Sequence, residues 1–181
     1  WNYNMNNEIK KSYKIVNLSG LNIFYTFNPR LSFGPKLSVI FLSGYRSDML
    51  GTKAMFLDDL SKKIGFEYLK FDYSGHGSSQ GNINKQLLSA WINEAMYFIE
   101  NKLKYPTIII GSSMGGWISL IIAKKLNKKI KGLIGIGAAP DFTNNIIKNL
   151  SVKEKKKFDA EKSLSISSPY SKEEFIFSKA F

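Results

Sequence analysis

Ser113 stands in Gly111-Ser112-Ser113-Met114-Gly115, a G-x-S-x-G pattern that follows the β-branched run Ile108-Ile109-Ile110 and leads into an apolar periodic stretch. A serine on a sharp strand-to-helix turn is held in a strained backbone conformation. The residues two before and two after it must therefore be small, and Gly111 and Gly115 meet that need. The hydroxyl then stands clear of the sheet as a candidate nucleophile. A helix starting at Met114 points free N–H groups at the same place, so the Met114 N–H becomes one donor to the oxyanion formed when a hydroxyl attacks an acyl carbonyl. Neighbouring Ser112 reads as buried or structural.

A serine nucleophile needs a base, ordinarily a histidine oriented by a carboxylate, and on this kind of turn the chain order is Ser, then Asp or Glu, then His. No histidine follows Ser113. His76, the sole histidine, lies in the glycine-rich loop Ser74 to Ser79, two strands from the serine turn if the usual sheet order holds. A base must come within hydrogen-bond reach, so that loop position argues against it. Asp141 closes the strand after the serine turn, at the right edge of the sheet for an orienting acid, but turn formation or helix capping is the stronger reading. Asp72 reads as an anchor for its loop through backbone N–H groups. A second oxyanion donor is expected from Ser43-Gly44-Tyr45-Arg46, with the Tyr45 N–H as candidate; the competing reading is that Gly44 only permits a tight turn.

Positioning these residues requires alternating strands and helices. Tyr13 to Leu18 and Asn22 to Phe27 form a hairpin signal around Ser19-Gly20. Leu37 to Leu42, Glu67 to Tyr73, the Ile108 run and Lys131 to Ala138 read as strands, the first and last as continuous buried runs. Between them Met55, Phe56, Leu60 and Ile64 recur at helical spacing until Gly65. Leu87 to Leu103 follows, broken by Pro106, and then a helix carries Trp117, Leu120, Ile121 and Leu126. Parallel neighbours need crossovers, so the class is α/β, a mostly parallel sheet with helices on both faces. Beyond Asp141 the pattern changes to short amphipathic pieces, Phe142 to Leu150 and Val152 to Ala160, then a serine-rich stretch and Lys172 to Phe181. No further strand is expected there, and residues 142–181 read as a helical cap appended to a core of residues 1–141.

The 181 residues are 44% hydrophobic, enough for one domain with a real core. No apolar run approaches the roughly 20 residues that span a bilayer, so no integral membrane segment is implied. Trp1 at the start points to a native beginning upstream, and no basic-then-apolar leader follows it. The absence of cysteine excludes disulfides, thiolate catalysis and cysteine metal sites. A net charge of +12 would suit nucleic acid, yet nearly all of it is scattered lysine with only Arg30 and Arg46 able to make bidentate contacts. No nucleic-acid partner is expected, and Lys153 to Lys157 is the only local cluster. The Gly75-x-Gly77 loop lacks a phosphate-binding lysine, and no residues have metal-ligand spacing; neither cofactor nor metal is implied.

Several motifs in order, Phe41-Leu42-Ser43-Gly44-Tyr45, Gly51-Thr52-Lys53-Ala54, Phe71 through Ser79, and Gly111 through Trp117, resemble the α/β-hydrolase superfamily. They are most similar to the mitochondrial palmitoyl-protein thioesterase and acyl-glucuronide esterase branch and its bacterial relatives, over roughly residues 20–181. The resemblance implies Ser113 as nucleophile, Met114 and Tyr45 as oxyanion donors, a cap over an acyl pocket, and a bacterial cytoplasmic or mitochondrial-matrix location. It further implies a small acyl ester or acylated-protein substrate. The family continues with two strands that carry the acid and the histidine, so the chain reads as truncated before them. Truncation there would leave Gly132 to Ile136 as an exposed apolar edge, and an unactivated serine would turn over little. The expected function is a serine hydrolase of carboxylic esters or thioesters. The alternatives are a non-catalytic binding protein with a vestigial Ser113, or a basic binder using Lys153 to Lys157.

Overall fold

The computed structural model describes residues 12–141, 147–161, 163–167 and 174–178. The chain divides into two units, Trp1–Ala139 and Pro140–Phe181. In the first, β1 (Lys14–Leu18) and β2 (Leu21–Asn28) form the expected hairpin. Its two turn residues, Ser19 and Gly20, have φ of 51° and 82°, the left-handed pair that matches the twist of a two-residue hairpin loop. β3 (Ser38–Leu42), β4 (Glu67–Phe71), β5 (Thr107–Ser112) and β6 (Ile130–Ile136) complete a six-stranded sheet of order β1-β2-β4-β3-β5-β6. β2 pairs antiparallel with β4, and all the later pairings are parallel.

Every residue of β3 and β4 is buried, as central strands covered on both faces must be. On one face Val39, Phe41, Tyr68 and Ile110 pack with Ala54 and Leu57 of α1 (Thr52–Ile64). On the other, Phe98 of α2 (Leu88–Asn101) sets its ring 5.0 Å from Tyr25 and 4.6 Å from Phe71. Each such buried aromatic or aliphatic side chain contributes roughly 1.5–3 kcal/mol. α3 (Met114–Lys125) packs against β3, β5 and β6.

Three expectations about faces and elements are corrected. On α1, Phe56 and Ile64 are exposed while Asp58 and Ser61 are buried. The inward face carries polar residues because it meets Lys70, whose ammonium lies 3.6 Å from the Asp58 carboxylate and 2.8 Å from Met55 Sδ. On α3, Leu120 is exposed, and the inward face runs instead through Met114, Trp117, Ile118 and Ile122. β6 is not a buried strand. It pairs only with β5 among the described residues, and Ile134 and Ile136 are exposed.

In the second unit, α4 (Val152–Glu161) starts with a capping box. The Glu154 carboxylate accepts from the Ser151 N–H at 2.8 Å, and the Ser151 hydroxyl accepts from the Glu154 N–H at 3.3 Å. The expectation that no strand recurs is overturned by β7 (Ser163–Ser167) and β8 (Glu174–Ser178), an antiparallel pair. Ser-Leu-Ser-Ile-Ser alternates with period two, a strand pattern masked in the sequence by its serine content. Most of the predicted piece Phe142 to Leu150 lies outside the described residues.

Candidate active site

Ser113 sits between the last residue of β5 and the first of α3, with φ 52° and ψ −117°. A non-glycine residue in this region is strained and persists only when its surroundings hold it. The holding contacts are visible. Its N–H donates to the Ile136 carbonyl at 3.0 Å, and its own carbonyl accepts from Gly116 at 2.9 Å and from Ala139 at 3.3 Å. The end of β6 thus clamps the turn from one side. The side chain is exposed.

Gly111 and Gly115 are required by space. A methyl group on Gly115 would overlap the Leu42 carbonyl oxygen, and one on Gly111 would overlap the Gly115 carbonyl and the Ser119 hydroxyl. That hydroxyl donates to the Gly115 carbonyl at 2.5 Å. Close approach of the turn to β3 is what brings the second candidate donor near. The Ser43–Ser47 turn closes with the Ser47 N–H donating to the Gly44 carbonyl at 3.1 Å, and Arg46 takes φ 58°. Gly44 is not among the positive-φ glycines, so its need for glycine lies in proximity. A Cβ at position 44 would be 3.3 Å from Ser113 Cβ and 3.9 Å from its Oγ. Tyr45 follows directly, and Met114 is the first residue of α3, whose opening N–H groups have no acceptor within the helix.

Asp72 ties two loops to the end of the sheet. One carboxylate oxygen accepts from the Met49 N–H at 2.7 Å and the other from the Ser78 N–H at 2.8 Å. Burial pushes its carboxyl up to about 6, against the lowering effect of those two N–H groups. The anchoring role read from sequence is therefore what the geometry provides.

His76 follows β4, which β3 separates from β5. It is 3% exposed, its ring stacked edgewise against Trp91 at 5.0 Å, Tyr73 at 5.7 Å and Tyr45 at 5.9 Å. Nδ1 lies 3.3 Å from the Ser74 carbonyl, and Nε2 is buried with no hydrogen-bond partner. Burial lowers its pKa and so favours the neutral ring. Among the described residues no side chain hydrogen-bonds to Ser113 Oγ, and His76 is enclosed by aromatic rings. Asp141 belongs to the second unit, with φ 51°. Among the described residues no three carboxylate or imidazole groups gather as a metal would require.

Sequence reasoning missed Glu94. Buried on α2, it accepts from the Ser74 N–H at 3.0 Å, while the Trp91 indole donates to the Ser74 carbonyl at 3.0 Å. Together they fix the His76 loop. Their signal was present as two polar groups on the apolar face of α2, three residues apart.

The family model for the alpha/beta hydrolase fold matches residues 39–172. Human mitochondrial palmitoyl-protein thioesterase ABHD10 is 36% identical over 140 residues, 77% of this chain and 46% of that protein. The chain spans about half the length of such curated relatives. The structure of alpha/beta hydrolase domain-containing protein 10 from mouse superposes with a TM-score of 0.82 at 31% identity, covering 94% of this chain and 67% of that one. A soluble variant of monoglyceride lipase from Saccharomyces cerevisiae shares the fold at 23% identity with a TM-score of 0.65. The strained serine between β5 and α3, the sheet order and the matched family model place the chain in the α/β-hydrolase family.

Proposed function

We propose that Ser113 is the nucleophile of a serine hydrolase acting on carboxylic esters or thioesters. The observation that carries this reading is the strained, exposed Ser113 at the start of α3, with Gly44 kept bare directly against it. Ser113 Oγ attacks the acyl carbonyl carbon as its proton passes to a base. The carbonyl oxygen, now negative, accepts from the Met114 and Tyr45 N–H groups. The C–O or C–S bond then breaks, the leaving group takes the proton, and water attacks the acyl-serine to release the acid and restore the hydroxyl.

His76 is enclosed by three aromatic rings and held toward the Ser74 carbonyl. The base and its orienting acid are therefore assigned to sequence outside these 181 residues, in keeping with relatives about twice as long. Those relatives are named as palmitoyl-protein thioesterases, which makes an acylated protein or small acyl ester the substrate class to try first.

A fluorophosphonate probe tests the reading on the intact gene product. Labelling that disappears in Ser113→Ala is expected. A folded, intact protein that takes no label would instead favour a binding protein with a vestigial serine. Paired acyl esters and thioesters of one chain length would then separate the two bond types by kcat/KM.

A further inference from the structure

Two loops come together at Tyr45, and one buried carboxylate bonds to both. The first, residues 43–51 after β3, carries Tyr45; the second, residues 72–79 after β4, carries His76. They meet where the Tyr45 ring stands edge-on to the His76 ring at 5.9 Å and 84°, with Trp91 6.0 Å from Tyr45. Asp72, 1% exposed, lies at the root of the second loop. Its Oδ1 accepts from the Met49 N–H at 2.7 Å and its Oδ2 from the Ser78 N–H at 2.8 Å. The Ser47, Leu50 and Gly51 N–H groups donate within the first loop, to Gly44 and Asp48, so they shape it without fastening it to the sheet. The Met49 bond leaves the loop and ties it to the end of β4.

The second loop is moulded around that carboxylate. Gly77 takes φ 48°, and a Cβ there would lie 2.2 Å from Asp72 Oδ2. The Asp72 backbone is fixed in turn to β2. Its N–H donates to the Phe24 carbonyl at 3.0 Å, and its carbonyl accepts at 2.6 Å from the Ser79 hydroxyl, which itself accepts from the Phe24 N–H at 2.9 Å. Bonds to a charged acceptor are roughly twice as strong as neutral ones. A carboxylate held from behind by the sheet and bonded through both oxygens therefore sets where the two loops sit.

We propose that Asp72 is a positioning residue of the oxyanion hole, its two carboxylate oxygens clamping the Tyr45 loop to the His76 loop so that the Tyr45 N–H is held toward the attacked carbonyl. The proposal rests on the role given above to Ser113. Asp72 acts without touching substrate, through Met49, four residues beyond Tyr45, and through the His76 ring packed on Tyr45.

The test is Asp72→Asn in the intact gene product, assayed at pH 8, where the parent carboxyl is ionised, with p-nitrophenyl butyrate and a fluorophosphonate. The amide keeps the size and one acceptor but turns a donor toward the other loop N–H, so one tether is lost. Both kcat and the labelling rate should fall about tenfold, part of the roughly 10²–10³ carried by a whole oxyanion donor, with KM within about twofold of the parent. Gly77→Ala, which pushes on the carboxylate without removing it, should do the same, and it carries the test if Asp72→Asn does not fold. Glu67→Ala breaks buried bonds to Ser38 and Lys104 at the opposite end of β4; it should lower the melting temperature and keep the parent kcat. The inference is overturned, with the reading of Ser113 intact, if the parent labels at Ser113 and Asp72→Asn labels and turns over at the parent rate. It is equally overturned if the loss lies in KM alone or if Glu67→Ala loses as much kcat. A folded parent that takes no label removes the reading of Ser113 and this inference with it.

Discussion

At the scale of single residues, the site is built on close backbone approach. Gly115→Ala puts a methyl group into the Leu42 carbonyl, where no flexible side chain can yield. A loss of about 3 kcal/mol in chemical denaturation is expected, at the upper end of overpacking costs. Asp72 offers a test by titration. Burial raises its carboxyl from the ordinary 3.8 to about 6, so the fold favours the protonated form. Its contribution to stability is fully present below pH about 4 and lost as the pH rises through about 6. Carboxyl 13C shifts followed between pH 4 and 8 should show Asp72 titrating near 6; a midpoint near 4 would refute this. The role of Asp72 was readable from its loop position, whereas the bareness of Gly44 was not. Only the 3.3 Å between a would-be Cβ and Ser113 Cβ shows that the glycine answers to a neighbour and not to its own φ.

At the scale of elements, periodicity located the helices better than their faces. Phe56 and Ile64 belong to the helical spacing that located α1, yet both are exposed, and its inner face meets the buried Lys70. Asp58 serves that cation, lies in an ion pair with Lys62, and accepts from the Asn28 amide at 3.2 Å. Removing one partner of a buried pair is costly when it leaves the other charge buried and uncompensated. Asp58→Ala should therefore lose about 3 kcal/mol, while Lys70→Met, which leaves Asp58 with Lys62 and Asn28, should stay within about 1 kcal/mol of the parent. Urea denaturation of the two variants decides it, and equal losses would sink the argument. The β7–β8 pair shows the reverse weakness, since alternation at short range is faint when serine fills the polar positions.

At the scale of the whole molecule, the first unit ends its sheet on β6, where Ile134 is 50% exposed and no strand pairs on the outer side among the described residues. An unpaired apolar edge invites association. The 181-residue polypeptide should scatter light increasingly with concentration, and Ile134→Lys should suppress this without lowering the melting temperature by more than a few degrees. Scattering unaffected by the substitution would locate the cause elsewhere. Such an edge bears on function too, because the Ile136 carbonyl at its end receives the Ser113 N–H. The hold on the nucleophile turn therefore depends on this edge strand keeping its place.

The sequence alone determined the α/β class, the strand-to-helix setting of Ser113 and the glycines beside it. These follow from local rules, since a period of two or 3.6 and a missing Cβ leave their mark within a few residues. Tertiary structure decided the rest. The stacking of His76 among Tyr45, Tyr73 and Trp91, the clamp of β6 on Ser113, and the bond from the Met49 N–H to Asp72 each join segments tens of residues apart. No periodicity records such meetings, because they depend on which strands become neighbours in the sheet, and that order is set by packing the whole core.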